Sequence, residues 1–286
     1  MPDTSTEREV EAAEGAAVTA PLVYLKPMDG RPRSYTYEPP PGVPWRTGED
    51  EPVDVPVRDL RPIVGQVSLA THGFALVPFT TSFARFEDAA AIKRDYYPQV
   101  IEFVRRATGA ARVIAFDHNV RSSAVHGRAA SGMREPAKRV HADFTLASGP
   151  KRARAELEAA GEDPARWLAG RYQLVNLWRP ILGPVRSMPL AVLDGGSIAA
   201  IDLVLTDLVH PNRTGEIYSL VHNPAHRWYH VPAMRTDEAL LIKCYDSDPA
   251  APVRLAPHGA FEDPRTPSDA PPRLSIEVRT LVLFGD

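Results

Sequence analysis

Two histidines and one aspartate have the spacing of a metal site. His141 and Asp143 are two residues apart, and His258 follows far downstream. Side chains two residues apart point to the same face of an extended strand. A third ligand from a distant strand would complete a two-histidine, one-carboxylate facial triad, which suits non-haem Fe(II) and leaves positions open for O₂ and a co-substrate. The pattern therefore favours an iron-dependent oxygenase.

The third position of this triad has several candidates. His258 is preferred because a predicted strand over 239–245, a turn and a shorter strand over 253–257 would bring it back towards the same site. His226 is the runner-up among the remaining histidines of this half, which are His210, His222, His226 and His230. A single histidine is more often a hydrogen-bonded structural residue than a ligand, and the His141-Asp143 pair alone also fits a polar surface strand.

An arginine close to the final strand adds a second chemical group. Arg273 and Ser275 are separated by one leucine at the start of the last apolar run. A guanidinium group binds a carboxylate through two parallel hydrogen bonds. Arg273 is therefore expected to reach the same end of the fold and to hold a carboxylate of the co-substrate.

Composition excludes several classes of protein. The chain has 286 residues, 44% of them hydrophobic, and a net charge of −3, which argues against nucleic acid or an anionic membrane as the partner. No apolar run reaches membrane-spanning length. The first twenty residues lack the basic start and apolar core of a signal peptide, which predicts a cytoplasmic location. Cys244 is the single cysteine, so no intramolecular disulfide can form, and its apolar neighbours indicate a strand residue rather than a nucleophile.

The front of the chain mixes strands with helices. Residues 1–20 are predicted to be a disordered or loosely attached tail, because they are small, acidic and free of apolar periodicity. A first strand is expected over 21–28, and the proline-rich segment 29–56 is expected to be an ordered but irregular arm. Apolar residues at helical spacing predict a helix over 82–106, stopped by Gly109, and a second, interrupted helix is predicted over 151–169.

The rest of the chain reads as short strands separated by turns. Helices near the front followed by many strands predict a mainly β protein with buttressing helices, in a double-stranded β-helix of the cupin-like jelly-roll type. Residues 21–286 are expected to form one such domain. The predicted strands cover 172–180, 188–193, 200–206, 216–222, 228–231, 239–245, 253–257 and 274–284.

Aromatic and arginine residues near these strands are candidates for ligand contacts. Asn176 and Trp178 share one face of their strand, and Arg179 lies on the other. Either Asn176 or Arg179 is interpreted as a contact to co-substrate or substrate, whereas Trp178 fits a core aromatic equally well. Together with Arg121 and Trp228, these side chains predict a pocket for an apolar small molecule that carries a carboxylate.

Five segments, in this order, resemble one enzyme family over roughly residues 110–284. It is the hydroxylase/desaturase family of oxygenases, which includes fungal gibberellin-desaturase-like enzymes, a cephem-methoxylation component and fungal meroterpenoid oxygenases. The segments are NLWRPI at 176–181, PLAVLD at 189–194, HRWY at 226–229, KCYDS at 243–247 and PRLSIEVR at 272–279.

The resemblance implies an Fe(II)- and 2-oxoglutarate-dependent oxygenase that uses O₂ and releases succinate and CO₂. Carried over, His141 and Asp143 match the family's metal pair, and His258 is the best match for the distal ligand. Arg273 and Ser275 match the element that grips the distal carboxylate of 2-oxoglutarate. Hydroxylation, desaturation and cyclisation of a small molecule are all compatible with it.

Two other classes of protein remain open from the sequence. A cupin-type jelly roll could bind a metal without 2-oxoglutarate-dependent turnover, and a purely structural or interaction protein would bind no stoichiometric metal. Metal analysis followed by a 2-oxoglutarate decarboxylation assay separates these classes.

Overall fold

The structure, a computed structural model, describes residues 16–127 and 132–285. Within these ranges the chain forms two β-sheets that share a core. Buried side chains from both sheets meet in one cluster, including Leu174 and Trp178 from the first sheet and Val192 and Tyr229 from the second. This face-to-face arrangement confirms the predicted jelly roll.

The smaller sheet has five antiparallel strands. Their order is β4, β12, β7, β14, β5, so that the last strand of the chain lies inside the sheet. Period-two alternation directs one set of side chains towards the second sheet and the other set outwards. The strands are β4 (Phe74–Pro78), β5 (Arg112–Ser122), β7 (Tyr172–Leu182), β12 (Glu238–Asp246) and β14 (Leu274–Leu283).

The larger sheet has nine strands in the order β1, β3, β11, β8, β13, β6, β10, β9, β2. Two short strands, β6 and β13, are neighbours at its centre, and His258 lies opposite His141 in their pairing. The strands are β1 (Val18–Leu25), β2 (Arg33–Tyr35), β3 (Asp50–Asp59), β6 (His141–Ala142), β8 (Leu190–Leu193), β9 (Leu203–His210), β10 (Arg213–Leu220), β11 (Trp228–His230) and β13 (His258–Ala260).

Helices cover the outer face of the smaller sheet. Helix α1 (Ala89–Ala91) begins at Asp88, whose carboxylate accepts hydrogen bonds from the first backbone N–H groups. It continues through a π-helical turn (Ile92–Tyr96) into α2 (Tyr97–Thr108), and the left-handed Gly109 ends it as predicted. The apolar stripe of α2 packs on outward-facing residues of β7, β12 and β14. Two further helices are α3 (Ser148–Ala159) and α4 (Pro164–Leu168).

A bulge in β5 changes which side chains face inwards. The pairing of β5 with β14 skips Phe116, so Asp117 and Phe116 both point towards the space between the sheets. Beyond the bulge, Asp117, Asn119 and Arg121 lie on the inner face. A single extra residue therefore places the charged side chains of this edge strand inside.

Four local predictions were wrong. Val18–Ala20, assigned to the tail, begin β1 and pair with β3; the rest of that tail, residues 1–15, lies outside the described residues. The irregular arm contains β3, whose Pro52 and Pro56 pair with β1 alone, so the other edge of β3 needs no N–H group at these two positions. The helix begins at residue 89 rather than 82. The strand expected over 253–257 begins only at His258. The single-domain assignment of residues 21–286 stays a prediction.

Burial of His230 makes the stability of the fold depend on pH. Neither ring nitrogen of His230 has a hydrogen-bond partner within the described ranges, and its side chain packs edge-on against Phe261. Burial lowers the pKa of His230 to about 4; Arg265 acts in the same direction, and the carboxylates of Asp263 and Asp59 oppose it with smaller effects. Because the unfolded chain takes up this proton near the ordinary pKa of about 6.5, folding loses stability as the pH falls from there towards 4.

We expect the His230→Met variant to lose less stability than the unmodified protein as the pH falls from 7.5 to 4.5. The difference should approach on the order of 3 kcal/mol at the acid end. Urea unfolding at a series of pH values measures it. Parallel stability curves for the two proteins would contradict the prediction.

Candidate metal centre

Three ligand-type side chains converge between the sheets. One ligand atom from each of His141, Asp143 and His258 lies within 4.8 Å of the other two. The ring centroids of His141 and His258 are 4.9 Å apart, and His141 Nε2 is 3.6 Å from Asp143 Oδ1. Adjacent pairing of β6 with β13 produces this convergence. The structure thus brings together the three residues that the sequence singled out.

Both imidazoles are oriented through their second nitrogen. His141 Nδ1 donates to the carbonyl of Arg139 at 2.9 Å, and His258 Nδ1 makes a longer contact of 3.4 Å to the carbonyl of Ala256. A nitrogen that donates to a carbonyl carries the proton, so Nε2 keeps its lone pair for a metal. Burial, and then the neighbouring His258, lower the pKa of His141 to about 4. His141 is therefore neutral, which is the form that binds metals.

Asp143 is held as a buried anion. Burial alone would raise its pKa, but the guanidinium of Arg279, and then the two imidazoles, bring the pKa well below the usual range. Asn176 Nδ2 donates to Asp143 Oδ2 at 2.6 Å, and Arg279 Nε approaches the same oxygen at 3.3 Å. Two imidazoles and one ionised carboxylate at this spacing fit a divalent cation such as Fe(II).

A polar ladder on β14 faces the triad from the opposite sheet. Arg273, Ser275, Glu277 and Arg279 occupy every second position, while Ile276 and Val278 pack outwards against the helical layer. Glu277 Oε2 lies 3.8 Å from His258 Nε2, and Glu277 Oε1 lies 3.0 Å from an Arg279 nitrogen. Arg279 also pairs with Asp117 at 2.9 Å.

Arg273 and Ser275 have unused hydrogen-bonding capacity beside the triad. Arg273 is buried, stacks 5.5 Å from the ring centroid of Trp178 and donates to the carbonyl of Met188, but its Nε has no partner in the described part of the chain. Ser275 Oγ also lacks a partner there. Burial, and then the nearby Arg121, lower the pKa of Arg273 to about 9. An anion at this point would satisfy the free donors and separate the two cations.

Arg273 and the two histidines of the triad line one cleft. Arg121, Trp178 and Glu277 complete its polar and aromatic walls, with His141 and His258 at the metal end. A larger cavity of about 430 Å³ opens on the other side of Arg121 and also reaches His141 and Asp143. Arg121 therefore borders both spaces. Trp178 lies in the smaller one, where Arg273 stacks on its ring.

Three predicted contacts lie elsewhere. Trp228 faces the outer side of the larger sheet, where its indole N–H donates to Tyr24, because strand alternation turns its neighbour Tyr229 inwards instead. Arg179 faces the helical layer and stacks near Phe79 and Phe86. Asn176 contacts Asp143 rather than the cleft around Arg273.

His226, the runner-up for the third ligand, is also away from the triad. Its ring contacts Asp202 at 3.1 Å and Tyr24 at 3.2 Å, which explains its burial without a metal.

Sequence reasoning missed Glu277 as a member of the site and Arg279 as a partner of Asp143. The signal was present, since polar residues at every second position of an apolar strand indicate an inward polar face when the strand is covered on both sides.

The comparisons with known proteins agree with this geometry. A family model described as "Oxidoreductase/YMDC permease-like domain" matches residues 22–283. Among the described residues, no helix has the length and apolar character needed to cross a membrane.

Named relatives match most of the chain. The Fe(II)/2-oxoglutarate-dependent dioxygenase nvfI of Aspergillus novofumigatus is 34% identical over 274 residues, which covers 92% of this chain and 96% of the relative. Hydroxylase/desaturase poxK of Penicillium oxalicum is 30% identical and covers 94% of this chain and 91% of the relative. A solved structure of the iron and alpha-ketoglutarate-dependent endoperoxidase NvfI superposes with a TM-score of 0.84 at 31% identity, over 94% of this chain and 99% of that one.

Identity and coverage at this level confirm the resemblance seen in the sequence. The chain belongs to the Fe(II)/2-oxoglutarate-dependent dioxygenases and is an oxidoreductase that uses Fe²⁺, 2-oxoglutarate and O₂.

Proposed function

We propose that this enzyme hydroxylates, desaturates or cyclises a small-molecule natural product, with release of succinate and CO₂. The observation that carries the proposal is a two-histidine, one-carboxylate cluster with an arginine-lined cleft on one side and a large cavity on the other. The named relatives, which include hydroxylase/desaturases, support the same class of reaction. A cytoplasmic location and the absence of a nucleic-acid partner stay predictions from composition.

His141, Asp143 and His258 would hold the Fe(II). Bound there with 2-oxoglutarate, the metal supplies O₂ activation coupled to oxidative decarboxylation. The chain's own contribution is orientation. Asp143 Oδ2 accepts the short hydrogen bond from Asn176, whereas Oδ1, the oxygen facing His141, has only a 3.4 Å contact from Arg279 Nη2, so Oδ1 is the better placed ligand atom. The carbonyl contacts of the two imidazoles keep both Nε2 atoms directed at the same point.

Arg273 and Ser275 would bind the distal carboxylate of 2-oxoglutarate. Their free donors and the proximity of Arg121 support this role. The cleft and the larger cavity are lined by four cations, Arg121, Arg134, Arg273 and Arg279, and by four carboxylates, Glu87, Asp117, Asp143 and Glu277. A divalent metal and a dianionic co-substrate bound together add no net charge, so the buried charge balance is kept.

The cavity of about 430 Å³ would receive the substrate. Its walls combine Phe86, Ile92 and Ile217 with polar groups such as His118 and Asn119. Such a mixture suits a mainly apolar molecule oriented by a few hydrogen bonds. Arg121 stands between this cavity and the 2-oxoglutarate cleft and would contact either ligand.

Removal of one triad residue should abolish metal binding. We expect Asp143→Ala and His258→Ala each to weaken Mn(II) binding by more than the roughly 10- to 100-fold cost of losing an outer hydrogen bond. Calorimetric titration of the metal-free protein measures this. His226→Gln is the matched control and should bind Mn(II) normally. Loss of binding in the control with retention in His258→Ala would reverse the ligand assignment.

Removal of the Arg273 guanidinium should weaken the binding of 2-oxoglutarate but not the binding of Mn(II). A charge-assisted pair is worth on the order of 1.5–3 kcal/mol, so Arg273→Met should raise the Kd for 2-oxoglutarate at least tenfold, with Mn(II) affinity retained. Arg179→Met, on the outer face of the same sheet, is the control. An unchanged Kd in Arg273→Met would assign the carboxylate to another cation of the site.

Asn176 should act through Asp143. Asn176→Leu keeps the side-chain volume but removes the donor to Oδ2, so Mn(II) affinity should fall by roughly 10- to 100-fold while 2-oxoglutarate affinity of the metal-loaded protein changes little. Gln173→Leu, a buried amide on the opposite face of β7, is the control. The reverse result, a raised Kd for 2-oxoglutarate at normal Mn(II) affinity, would return Asn176 to the co-substrate cleft.

A further inference from the structure

A second cavity, of about 360 Å³, lies beside the first and has no role in the function proposed above. The two cavities share a common boundary, and because Asp143 belongs to it, both reach the triad. A ligand with its reacting carbon near the metal site can therefore extend from one cavity into the other. The shared residues are Asp117, Asp143, Leu208, His210, Ile217 and Arg279.

One wall of this second cavity is a single face of helix α3. Ser148, Lys151, Arg152 and Ala155 line it at the i, i+3, i+4, i+7 spacing that aligns side chains on one side of a helix. Two aromatic rings, Phe116 and Phe144, form the apolar part of the lining. Phe116 faces inwards because of the bulge in β5.

The carboxylates of the second cavity already have partners. Asp117 pairs with Arg279 at 2.9 Å, and Asp143 is held by Asn176 and Arg279. Glu216 pairs with Arg31 and accepts from Thr145. Each of these anions therefore has its closest partner elsewhere, and Lys151 and Arg152 interact with Glu216 and Asp117 only at longer range.

The cations at the far end of the second cavity have fewer carboxylate partners. Lys151 and Arg213, both exposed at the rim, have no carboxylate within ion-pair distance in the described ranges. Arg152 lies 2.8 Å from Glu156 and stacks 4.6 Å from the centre of the Phe116 ring. The cations therefore surround an aromatic surface and leave two positive charges unpaired.

The side-chain ends of Arg213 and His210 both lie close to Gly215. A methyl group on Gly215 would lie 3.8 Å from Arg213 Nη1 and 3.9 Å from His210 Nε2, so both side chains turn over the hairpin towards the cavity. Burial, and then Arg213 with two further arginines, lower the pKa of His210. An uncharged His210 beside these cations is consistent with a positive local potential.

We infer that the second cavity is a recognition subsite for an anionic group, such as a carboxylate, on the substrate. The apolar skeleton would lie on Phe116 and Phe144, and the anion would face Lys151, Arg152 and Arg213. This inference rests on the proposed function, since it assigns the substrate of the same metal centre to a class: apolar molecules bearing a negative charge. It also moves the anion contact from the residues expected in the sequence to helix α3 and the β9–β10 hairpin.

A pair of fluorescent probes that differ in charge tests the subsite. Anilinonaphthalene sulfonate is an anion, and N-phenylnaphthylamine is its uncharged parent. The double variant Lys151→Gln/Arg213→Gln should weaken binding of the sulfonate by about fivefold or more. Binding of the uncharged parent should weaken by less than about twofold, since only the charge contact is lost. The difference between the two probes should be the same in titrations with and without Mn(II) and 2-oxoglutarate. Bound 2-oxoglutarate would occupy Arg273, so an unchanged difference means that the sulfonate does not bind there. Arg106→Gln, an exposed arginine on α2, is the control and should leave both probes unchanged.

Each other outcome overturns the inference. An equal loss for both probes means that the two residues shape the cavity without recognising charge. No loss for either probe, or an equal loss of the sulfonate in Arg106→Gln, means that no anion subsite exists here. Failure of the proposed function is a separate result, namely that the unmodified protein binds neither Mn(II) nor 2-oxoglutarate in calorimetry.

Discussion

The constraint on which the site depends is a carboxylate buried between two imidazoles. Asp143 is surrounded by protein, and an isolated buried anion would take up a proton rather than stay charged. Asn176 and Arg279 come from the opposite sheet and keep it ionised. The two sheets must therefore pack at one separation and register, because a shift of β14 by one residue would replace Arg279 with the uncharged Val278 or Thr280.

Other buried charges are likewise held by partners of opposite charge or by hydrogen bonds. Arg279 is shared among Asp143, Glu277 and Asp117, and the fully buried Lys243 pairs with Asp246, which in turn binds Arg171 and Gln173. In the cleft around Arg273, by contrast, Arg273 Nε and Ser275 Oγ have no hydrogen-bond partner within the described residues. An unmatched cation inside a packed core indicates a place for an anionic ligand, and here that place adjoins the cluster of metal-type ligands.

Apolar packing outside the two sheets holds this polar centre in place. On the smaller sheet the outward residues of β7, β12 and β14 pack under α2, and on the larger sheet Trp228, Tyr24 and their neighbours form a separate core. One residue in each of these layers, Arg179 and Trp228, was predicted from the sequence to contact a ligand. Trp228 and Arg179 are next to inward-facing residues along the chain, but alternation places them on the opposite faces.

The sequence by itself determined the strand-rich fold, the family and the His141-Asp143 pair, because side-chain alternation and short motifs are local properties. It also contained the alternating polar ladder of β14. Only the tertiary structure decided that His258 rather than His226 completes the cluster, that Asn176 serves Asp143, and that Arg279 joins the site. These outcomes depend on which strands become neighbours and on the bulge in β5, and such pairings are set by the packing of the whole core rather than by any segment alone.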